Sequence, residues 1–489
     1  MTLEIQRETL LVQPLPLVAY IRMKGAPYQR ELVDGGRLIT VDCNLTADRL
    51  ASTSGYVNSL RGTVSGVENL LGPLFEGGYH AIDERIKHGE DLAFDEAFSA
   101  LTFVCAALNQ PLNNVVAPRI KNLTSHETHL LQATALLSAL SAKEAYRGLT
   151  SQEIAGFVAA TIHLDTFVRL DHGSGFVVGF GGMGGDKGYS FGTLDTKLFS
   201  LSTLAAIAMS VDVSVHKHHS YPNTSKVAGQ SAIEGFGARS DFYTREAMRG
   251  VVDRAGLFMS SCHDTRTLHT LSHLLKGETI NHVIGPLAFP VDPQTPLGAM
   301  IGVNEKIHPN TIVESMLLLH KTEFQRYVNG VAFCGTDLKA VDPLEANNGS
   351  VDNLLFKKHV RIDELAPPPY VSIASFLRNG QNLEDLLIPN TREAILDANR
   401  SALAGVEEVK AKYLAMTIGL GLFLNSKLAL TDSLDLGARR VNRAYMRECT
   451  QRGLDILHRR RRTRAAGKVC CCNSRVRRGI NHGQIQANF

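Results

Sequence analysis

The chain has 489 residues, of which 44% are hydrophobic and 20% charged, and this length allows about two to four domains. Such a composition excludes a wholly disordered protein, a collagen and a small disulfide-stapled scaffold. The net charge of +3 conceals an asymmetry, because residues 459–489 hold nine lysines and arginines and no acidic residue. We therefore expect a mildly acidic globular body with a basic, disordered tail, and nucleic-acid binding only through that tail.

The location is predicted from three further features. The eight cysteines are sparse, and neither the isolated ones nor the Cys470–Cys472 triplet has the spacing of a zinc site. The first residues include Glu4 and Glu8, which is untypical of a secretory signal. The longest apolar runs, such as Leu414–Leu424, fall short of the about 20 residues that a membrane span needs. We therefore expect a cytoplasmic protein without a membrane partner.

The first 170 residues divide into two parts. Residues 1–80 predict an extra N-terminal segment of unknown role, with a proline-interrupted apolar run at its start. Residues 81–170 predict a helical subdomain, completed by part of the C-terminal helices. Apolar residues recur there at three- and four-residue spacing over Asp83–Asn109 and Leu123–Ala142, and a capping box at Thr150 and Glu153 opens a further helix over 151–167.

From residue 171 the pattern changes to alternating strands and helices. Gly175–Phe180 is a strand candidate, Leu198–Ser210 a helix and Val211–Lys217 a second strand. This order is typical of a βαβ unit, so residues 171–458 predict an α/β domain with a mainly parallel central sheet. Helical patterns return from Asn390 to about residue 458.

Two neighbouring segments indicate phosphate binding. Gly181–Asp186 contains four glycines, whose exposed backbone N–H groups can surround an anionic oxygen. Phe199–Thr203 places three hydroxyls at the start of an apolar helix, where the free N–H groups and the helix dipole also favour a phosphate. An ordinary glycine turn and an ordinary helix cap remain the alternatives for each segment taken alone.

A third polar segment, His216–Lys226, follows the second strand candidate. Its lysines and hydroxyls suit a multiply charged phosphate ester. A metal site formed by its three histidines is disfavoured, because strand alternation sends His216 and His218 to one face and we expect His219 to lie past the strand end.

These three segments resemble anthranilate phosphoribosyltransferases, in the wider class that includes the pyrimidine-nucleoside phosphorylases. Gly182–Asp186 matches the family's GTGGD motif, Phe199–Thr203 its FNIST motif, and Lys217–Gly229 its KHGNxxxSSxxG motif. Thr279–Leu287 also resembles the family's RTxFNLLGPL stretch. With such matches the resemblance covers roughly residues 81–458, and it implies an enzyme that transfers a phosphoribosyl group from phosphoribosyl pyrophosphate (PRPP), uses Mg²⁺ and forms a homodimer through the helical subdomain.

The resemblance also implies roles for individual residues. His218 and Lys217 are the implied catalytic side chains, and the implied metal ligands are Ser202, Asp337 and Asp342. The acceptor side is implied to include His218, His219, Ser220 and His273. The implied PRPP-binding residues are Gly182, Gly184, Gly185, Asp186, Ser200, Ser202, Thr203, Lys217, Thr224, Ser225 and Gly229.

Met183 replaces the threonine of GTGGD on the donor side, and two other departures from the family concern the acceptor. Ser220 replaces the asparagine of KHGN, and neither Ser272 nor His273 supplies the arginine that grips the anthranilate carboxylate. We therefore expect phosphoribosyl transfer to an aromatic or heterocyclic nitrogen acceptor other than anthranilate. A nucleoside or nucleotide phosphorylase of the same class is one alternative, and a non-catalytic relative that binds nucleic acid through the basic tail is the other.

Overall fold

A computed structural model of the protein shows a group of helices followed by an α/β part built on one mainly parallel sheet. The structure describes residues 66–165, 175–182, 196–197, 199–210, 213–219, 226–236, 251–253, 255–261, 268, 271, 275, 279–303, 307, 309–322, 324–334, 353–361, 364–366, 370–372 and 383–424. The expected fold class, α/β with a smaller helical part, is confirmed.

The helical part contains five helices: α1 (Gly72–Lys87), α2 (Phe94–Leu108), α3 (Gln110–Val116), α4 (His126–Tyr146) and α5 (Ser151–Ala160). Helix α1 begins nine residues before the expected boundary at residue 81, and its Leu74 is fully buried. Its apolar periodicity is hidden by Gly78, which has a φ of 72° and kinks the helix. The single helix expected over Asp83–Asn109 is two helices, because the chain turns through Gly89 at a positive φ between α1 and α2.

The predicted capping box at the start of α5 is confirmed. The backbone N–H of Glu153 donates to the Thr150 hydroxyl at 3.2 Å, and the Glu153 carboxylate accepts from the Thr150 N–H at 2.9 Å. Glu153 is fully buried and also pairs with the Lys143 ammonium of α4 and with the Leu92 N–H. One carboxylate therefore joins α4, α5 and the segment before α2.

The sheet contains strands β1 (Val177–Gly182), β3 (Ser214–His219), β4 (Leu257–Ser261), β5 (Leu297–Gly302), β6 (Tyr327–Cys334), β7 (Asn353–Arg361), β8 (Glu364–Ala366) and β9 (Tyr370–Ser372). Its order is β4-β3-β1-β5-β6-β7-β8, and β9 also pairs with β7. Five neighbouring strands of this sheet run parallel, in the order β4, β3, β1, β5 and β6. Strand β7 runs antiparallel to β6. A separate pair joins β2 (Thr196–Lys197) to β10 (Ile388–Pro389).

The remaining helices are α6 (Leu201–Met209), α7 (Gly229–Glu234), α8 (Asn281–Ile284), α9 (Pro309–His320), α10 (Arg392–Leu403) and α11 (Glu408–Leu424). Alternate residues of β1 face opposite sides of the sheet, so Val177 packs in one core with α5 and α9, and Val178 packs in the other with α6, α10 and α11. The described C-terminal helices lie in the second core, and the expectation that part of the C-terminal helices completes the helical subdomain stays a prediction. None of the helices in the described ranges is both long and apolar enough to cross a membrane.

Candidate active site

The candidate site lies at the carboxyl ends of β1 and β3, which are adjacent parallel strands. Gly182 ends β1 and is exposed. Gly181 before it packs so closely on the turn after α8 that a Cβ would lie 2.4 Å from the Pro286 carbonyl oxygen, so only glycine fits there. Ligands of open parallel sheets bind at this edge, where the loops leave the strands. The other residues of the glycine loop, Gly184, Gly185 and Asp186, lie outside the described residues.

Helix α6 presents its first turn at this edge. Ser200 precedes the helix, and Ser202 and Thr203 lie in its first turn, half-buried and buried respectively. The Ser200 side chain makes no capping bond to the helix. The first N–H groups of a helix have no partner within the helix, and such groups combined with two hydroxyls are suited to binding an anion. The helix predicted over Leu198–Ser210 starts at Leu201, so Ser200 is its N-cap.

Asn399 of α10, which the sequence reasoning did not single out, holds the start of α6. Its amide oxygen accepts from the Ser200 N–H at 2.8 Å, and its amide nitrogen donates to the Ser200 hydroxyl at 3.0 Å. Asn399 is fully buried among Ile395, Ala398 and Ala402. A polar residue on the apolar face of an amphipathic helix was the signal available in the sequence.

The same C-terminal region supports two more loops of the site. The backbone N–H of Lys226 donates to the Asn390 side chain at 2.9 Å, and the Arg400 guanidinium donates to the Gly235 carbonyl at 3.2 Å. Gly229, one of the expected PRPP-binding residues, begins α7 between these two contacts. The segment 390–400 therefore fixes both ends of the chain around α7.

Lys217 lies on β3 and faces the core that contains α6. It alternates with Val215 of that core and stands in register between Phe180 of β1 and Met259 of β4. Lys217 is 6% exposed, and its ammonium donates to the His218 carbonyl at 2.5 Å. Burial among these apolar neighbours lowers the pKa of Lys217 to about 8. A desolvated ammonium on the face of α6 is suited to binding an anion at the start of that helix.

His216 and His218 face the opposite side of the sheet, as strand alternation predicted. Both rings reach the hydroxyl of Ser260 on β4, His216 Nε2 at 2.8 Å and His218 Nδ1 at 3.0 Å. The expectation that His219 lies past the strand end was wrong, because β3 continues through His219 and pairs it with Ser261. The side chains of Lys217 and His218 therefore lie on opposite faces of the sheet.

The second face is closed by the Thr279–Leu287 segment, which forms α8 and a following turn of 3-10 helix. A Cβ built on Gly285 would lie 4.0 Å from His218 Nε2, so a side chain at this position would contact the ring directly. The segment that resembled the family's RTxFNLLGPL stretch thus borders the face of His218.

Several expected site residues lie outside the described residues: Ser220, Thr224, Ser225, His273, Asp337 and Asp342. For His219 the structure describes the backbone alone. Of the expected metal ligands only Ser202 falls in a described range. Within those ranges, three metal-ligating side chains come together at His80, Asp83 and Glu84, which lie on α1 in the helical part.

The chain was compared with known proteins, and no family model matches it. The anthranilate phosphoribosyltransferase of Pyrococcus furiosus is 25% identical over 278 residues, which span 55% of this chain and 72% of that protein. The enzyme of the same name from Methanococcus maripaludis strain C6 is 30% identical over 186 residues, which span 37% of this chain but only 52% of the relative.

Solved structures show the same fold. The anthranilate phosphoribosyltransferase of Thermus thermophilus matches with a TM-score of 0.50 at 18% identity, over 77% of this chain and 99% of that one. The enzyme from Saccharomyces cerevisiae matches with a TM-score of 0.52 at 13% identity, over 82% of this chain and 98% of that one.

Proposed function

We propose that this protein transfers a phosphoribosyl group from PRPP to a nitrogen of an aromatic or heterocyclic acceptor. The chain is anthranilate phosphoribosyltransferase-like in sequence and in fold. One observation carries the proposal. Lys217 is buried on the face of the sheet that packs against α6, and α6 begins with hydroxyl-bearing residues after the loop that follows Gly182 at the end of β1. A cation, helix N–H groups and a glycine turn together suit a diphosphate.

The proposed reaction breaks the bond from the anomeric carbon of the ribose to pyrophosphate and forms a bond from that carbon to the acceptor nitrogen. Positive charge develops on the sugar while negative charge leaves on pyrophosphate, so catalysis consists of positioning and charge stabilisation. Lys217 is proposed to neutralise the leaving pyrophosphate, and Ser200, Ser202 and Thr203 to bind its oxygens. The acceptor nitrogen loses a proton after the new bond forms.

Magnesium bound to pyrophosphate would supply further neutralisation of the leaving charge. Its ligands in proteins are oxygen atoms. The half-buried Ser202 at the start of α6 provides such an atom beside the proposed pyrophosphate position. Asp337 and Asp342 remain proposed as its partners.

The acceptor is proposed to bind on the face of His218. The proposal that it differs from anthranilate rests on Ser220, Ser272 and His273, and the relatives give it no support because they carry the name of anthranilate. Anthranilate is therefore the first acceptor to test, followed by pyridine, pyrimidine and imidazole carboxylates and amides.

The function is tested by pyrophosphate release from PRPP and Mg²⁺ with each acceptor, for the wild type and two serine variants of α6. Ser202→Ala removes a hydroxyl from the phosphate end of the helix, and we expect kcat/KM for PRPP to fall about tenfold or more. Ser210→Ala makes the same change after the opposite end, where the hydroxyl donates to the Ile207 carbonyl, and should leave kcat/KM within about twofold.

Two results would overturn the proposal. One is equal activity of the two serine variants. The other is an absence of pyrophosphate release with every acceptor at millimolar PRPP. Phosphate-dependent cleavage of nucleosides in the second case would establish the phosphorylase alternative.

A homodimer through the helical part is also proposed. Leu131 and Tyr146 of α4 are 72% and 92% exposed, which is unusual for side chains of this size and suits a helix covered by a second copy. Light scattering coupled to gel filtration should give twice the 53.3 kDa of one chain. Leu131→Glu should shift the mass toward one chain, and an unchanged dimer in that variant would place the interface elsewhere. The cytoplasmic location remains a prediction.

A further inference from the structure

A single hydroxyl links the two histidines of β3. Ser260 of β4 is fully buried, and its Oγ lies 2.8 Å from His216 Nε2 and 3.0 Å from His218 Nδ1. The two histidines are neighbours on one face of the strand, and both are buried. The three side chains form a continuous line across the two adjacent strands.

One proton limits what this line can do. A serine hydroxyl donates one hydrogen bond, so it cannot donate to both rings at once. At least one of the two facing nitrogens must therefore carry a proton and donate to Ser260. The tautomer of one ring thus constrains the tautomer of the other through a single oxygen.

The His216 ring, at one end of this line, is packed between two aromatic side chains. The His216 ring meets Phe258 edge-on with centroids 5.1 Å apart, and Phe289 edge-on at 5.9 Å. Two aromatic rings and a hydrogen bond leave the His216 side chain little rotational freedom. The hydrogen bond from this packed ring therefore restrains the position of the Ser260 hydroxyl.

The near end faces Gly285. His218 uses Nδ1 for Ser260, which directs Nε2 toward this glycine, and the position of a Cβ there lies 4.0 Å from Nε2. The hydrogen bond at Nδ1 restrains the orientation of the ring and therefore the direction in which Nε2 lies. This is the face on which the acceptor is proposed to bind.

We propose that Ser260, backed by His216, is a positioning residue that fixes the orientation and tautomer of His218 toward the acceptor. The inference rests on the proposed function for the identity of the acceptor side. If Ser260 had a purely structural role, its substitution would change the stability of the protein without changing how His218 acts.

The kinetic test compares two substitutions of Ser260 with a matched control. Ser260→Ala removes the hydroxyl at nearly constant volume, and we expect kcat with the acceptor to fall about tenfold while the Kd for PRPP, bound on the opposite face, stays within about twofold. Ser260→Thr keeps the hydroxyl and should recover most of the activity. Ser315→Ala removes an equally buried hydroxyl of α9 that donates to the Thr311 and Ser151 carbonyls, and should leave kcat unchanged.

A double-mutant cycle separates positioning from stability. If Ser260 acts through His218, then Ser260→Ala in a His218→Asn background should cause no further loss of kcat. Additive losses in the double variant, or equal losses in Ser260→Ala and Ser315→Ala, would overturn the proposal.

A measurement without substrate distinguishes failure of this inference from failure of the proposed function. Histidine-selective ¹⁵N labelling of the full chain reports the ring nitrogens, and His218→Asn identifies the signals of that ring. We expect one tautomer of His218 in the wild type and in Ser260→Thr, and an altered tautomer mixture in Ser260→Ala. Unchanged His218 signals in Ser260→Ala would refute the positioning role. Altered signals in a protein that does not bind PRPP would support the network while refuting the transferase function.

Discussion

Replacing Lys217 with methionine should stabilise the fold and weaken donor binding at the same time. Lys217 is 6% exposed, and burial lowers its pKa from 10.5 to about 8. Since each pKa unit corresponds to about 1.4 kcal/mol, the charged side chain destabilises the folded protein by about 3 kcal/mol at neutral pH. Methionine is neutral and of similar length, so Lys217→Met should remove this cost and raise the free energy of unfolding by up to that amount.

The pH dependence follows from the direction of the pKa change. Below pH 8, Lys217 is charged in the folded and the unfolded chain, and the full cost applies. Between pH 8 and 10.5 the unfolded chain binds more protons than the folded one, so the stability of the wild type rises with pH. The advantage of Lys217→Met should therefore shrink from about 3 kcal/mol at about pH 7 to roughly half of that at about pH 9.5.

Urea unfolding followed by far-ultraviolet circular dichroism measures this difference, since the chain has no tryptophan for fluorescence. Lys321→Met is the control, because it removes the same charge from an exposed lysine after α9 and should change stability by less than about 0.5 kcal/mol. The reasoning is refuted if Lys217→Met is less stable than the wild type at neutral pH, or if its advantage does not diminish at the higher pH.

Three further substitutions test other parts of the site and fold. Asn399→Leu fills the same space but releases Ser200, so the Kd for PRPP measured by calorimetry should rise about tenfold; an unchanged Kd would remove Asn399 from the site. Gly285→Ala places a methyl group in van der Waals contact with His218 Nε2, so the acceptor KM should rise several-fold with an unchanged Kd for PRPP, and a change confined to PRPP would contradict the assignment of faces. Burial lowers the pKa of His129, so the folded state binds fewer protons than the unfolded state below pH 6.5. The thermal midpoint of the wild type should therefore fall as the pH drops to about 5.5. The midpoint of His129→Gln should fall less, and an equal fall in both proteins would exclude this histidine as the cause.

The sequence predicted those parts of the fold that depend on neighbouring residues. The strand before the glycine loop, the helix after it and the Thr150 capping box follow from spacing within a few residues, and each is present. The errors lie where tertiary contacts decide an element's end. Pairing with β4 extends β3 through His219, and the kink at Gly78 conceals the periodicity of α1.

The supporting residues of the site could not be derived in the same way. Asn399 meets Ser200 across 199 positions of sequence, and Ser260 meets His218 across 42. Neither residue belongs to a motif: Asn399 is a polar residue on the apolar face of an amphipathic helix, and Ser260 lies near the end of a mostly apolar strand. Such a residue indicates a buried hydrogen bond, but only the fold identifies its partner.

The assignment of faces follows from strand alternation and not from the motif. The resemblance placed Lys217 and His218 together as the catalytic pair, whereas strand alternation sends them to opposite sides of the sheet. The structure therefore separates a proposed donor role for Lys217 from a proposed acceptor role for His218. This separation is what makes selective effects on PRPP and acceptor binding expected.

The most direct test of the central claim is calorimetric titration of the protein with PRPP, with and without Mg²⁺, for the wild type and Lys217→Met. We expect magnesium-dependent binding by the wild type and a Kd at least about tenfold higher for Lys217→Met, which should nevertheless be folded and more stable. Absence of PRPP binding at millimolar concentration with Mg²⁺, or equal binding by the two proteins, would contradict a donor site built on Lys217 and the start of α6.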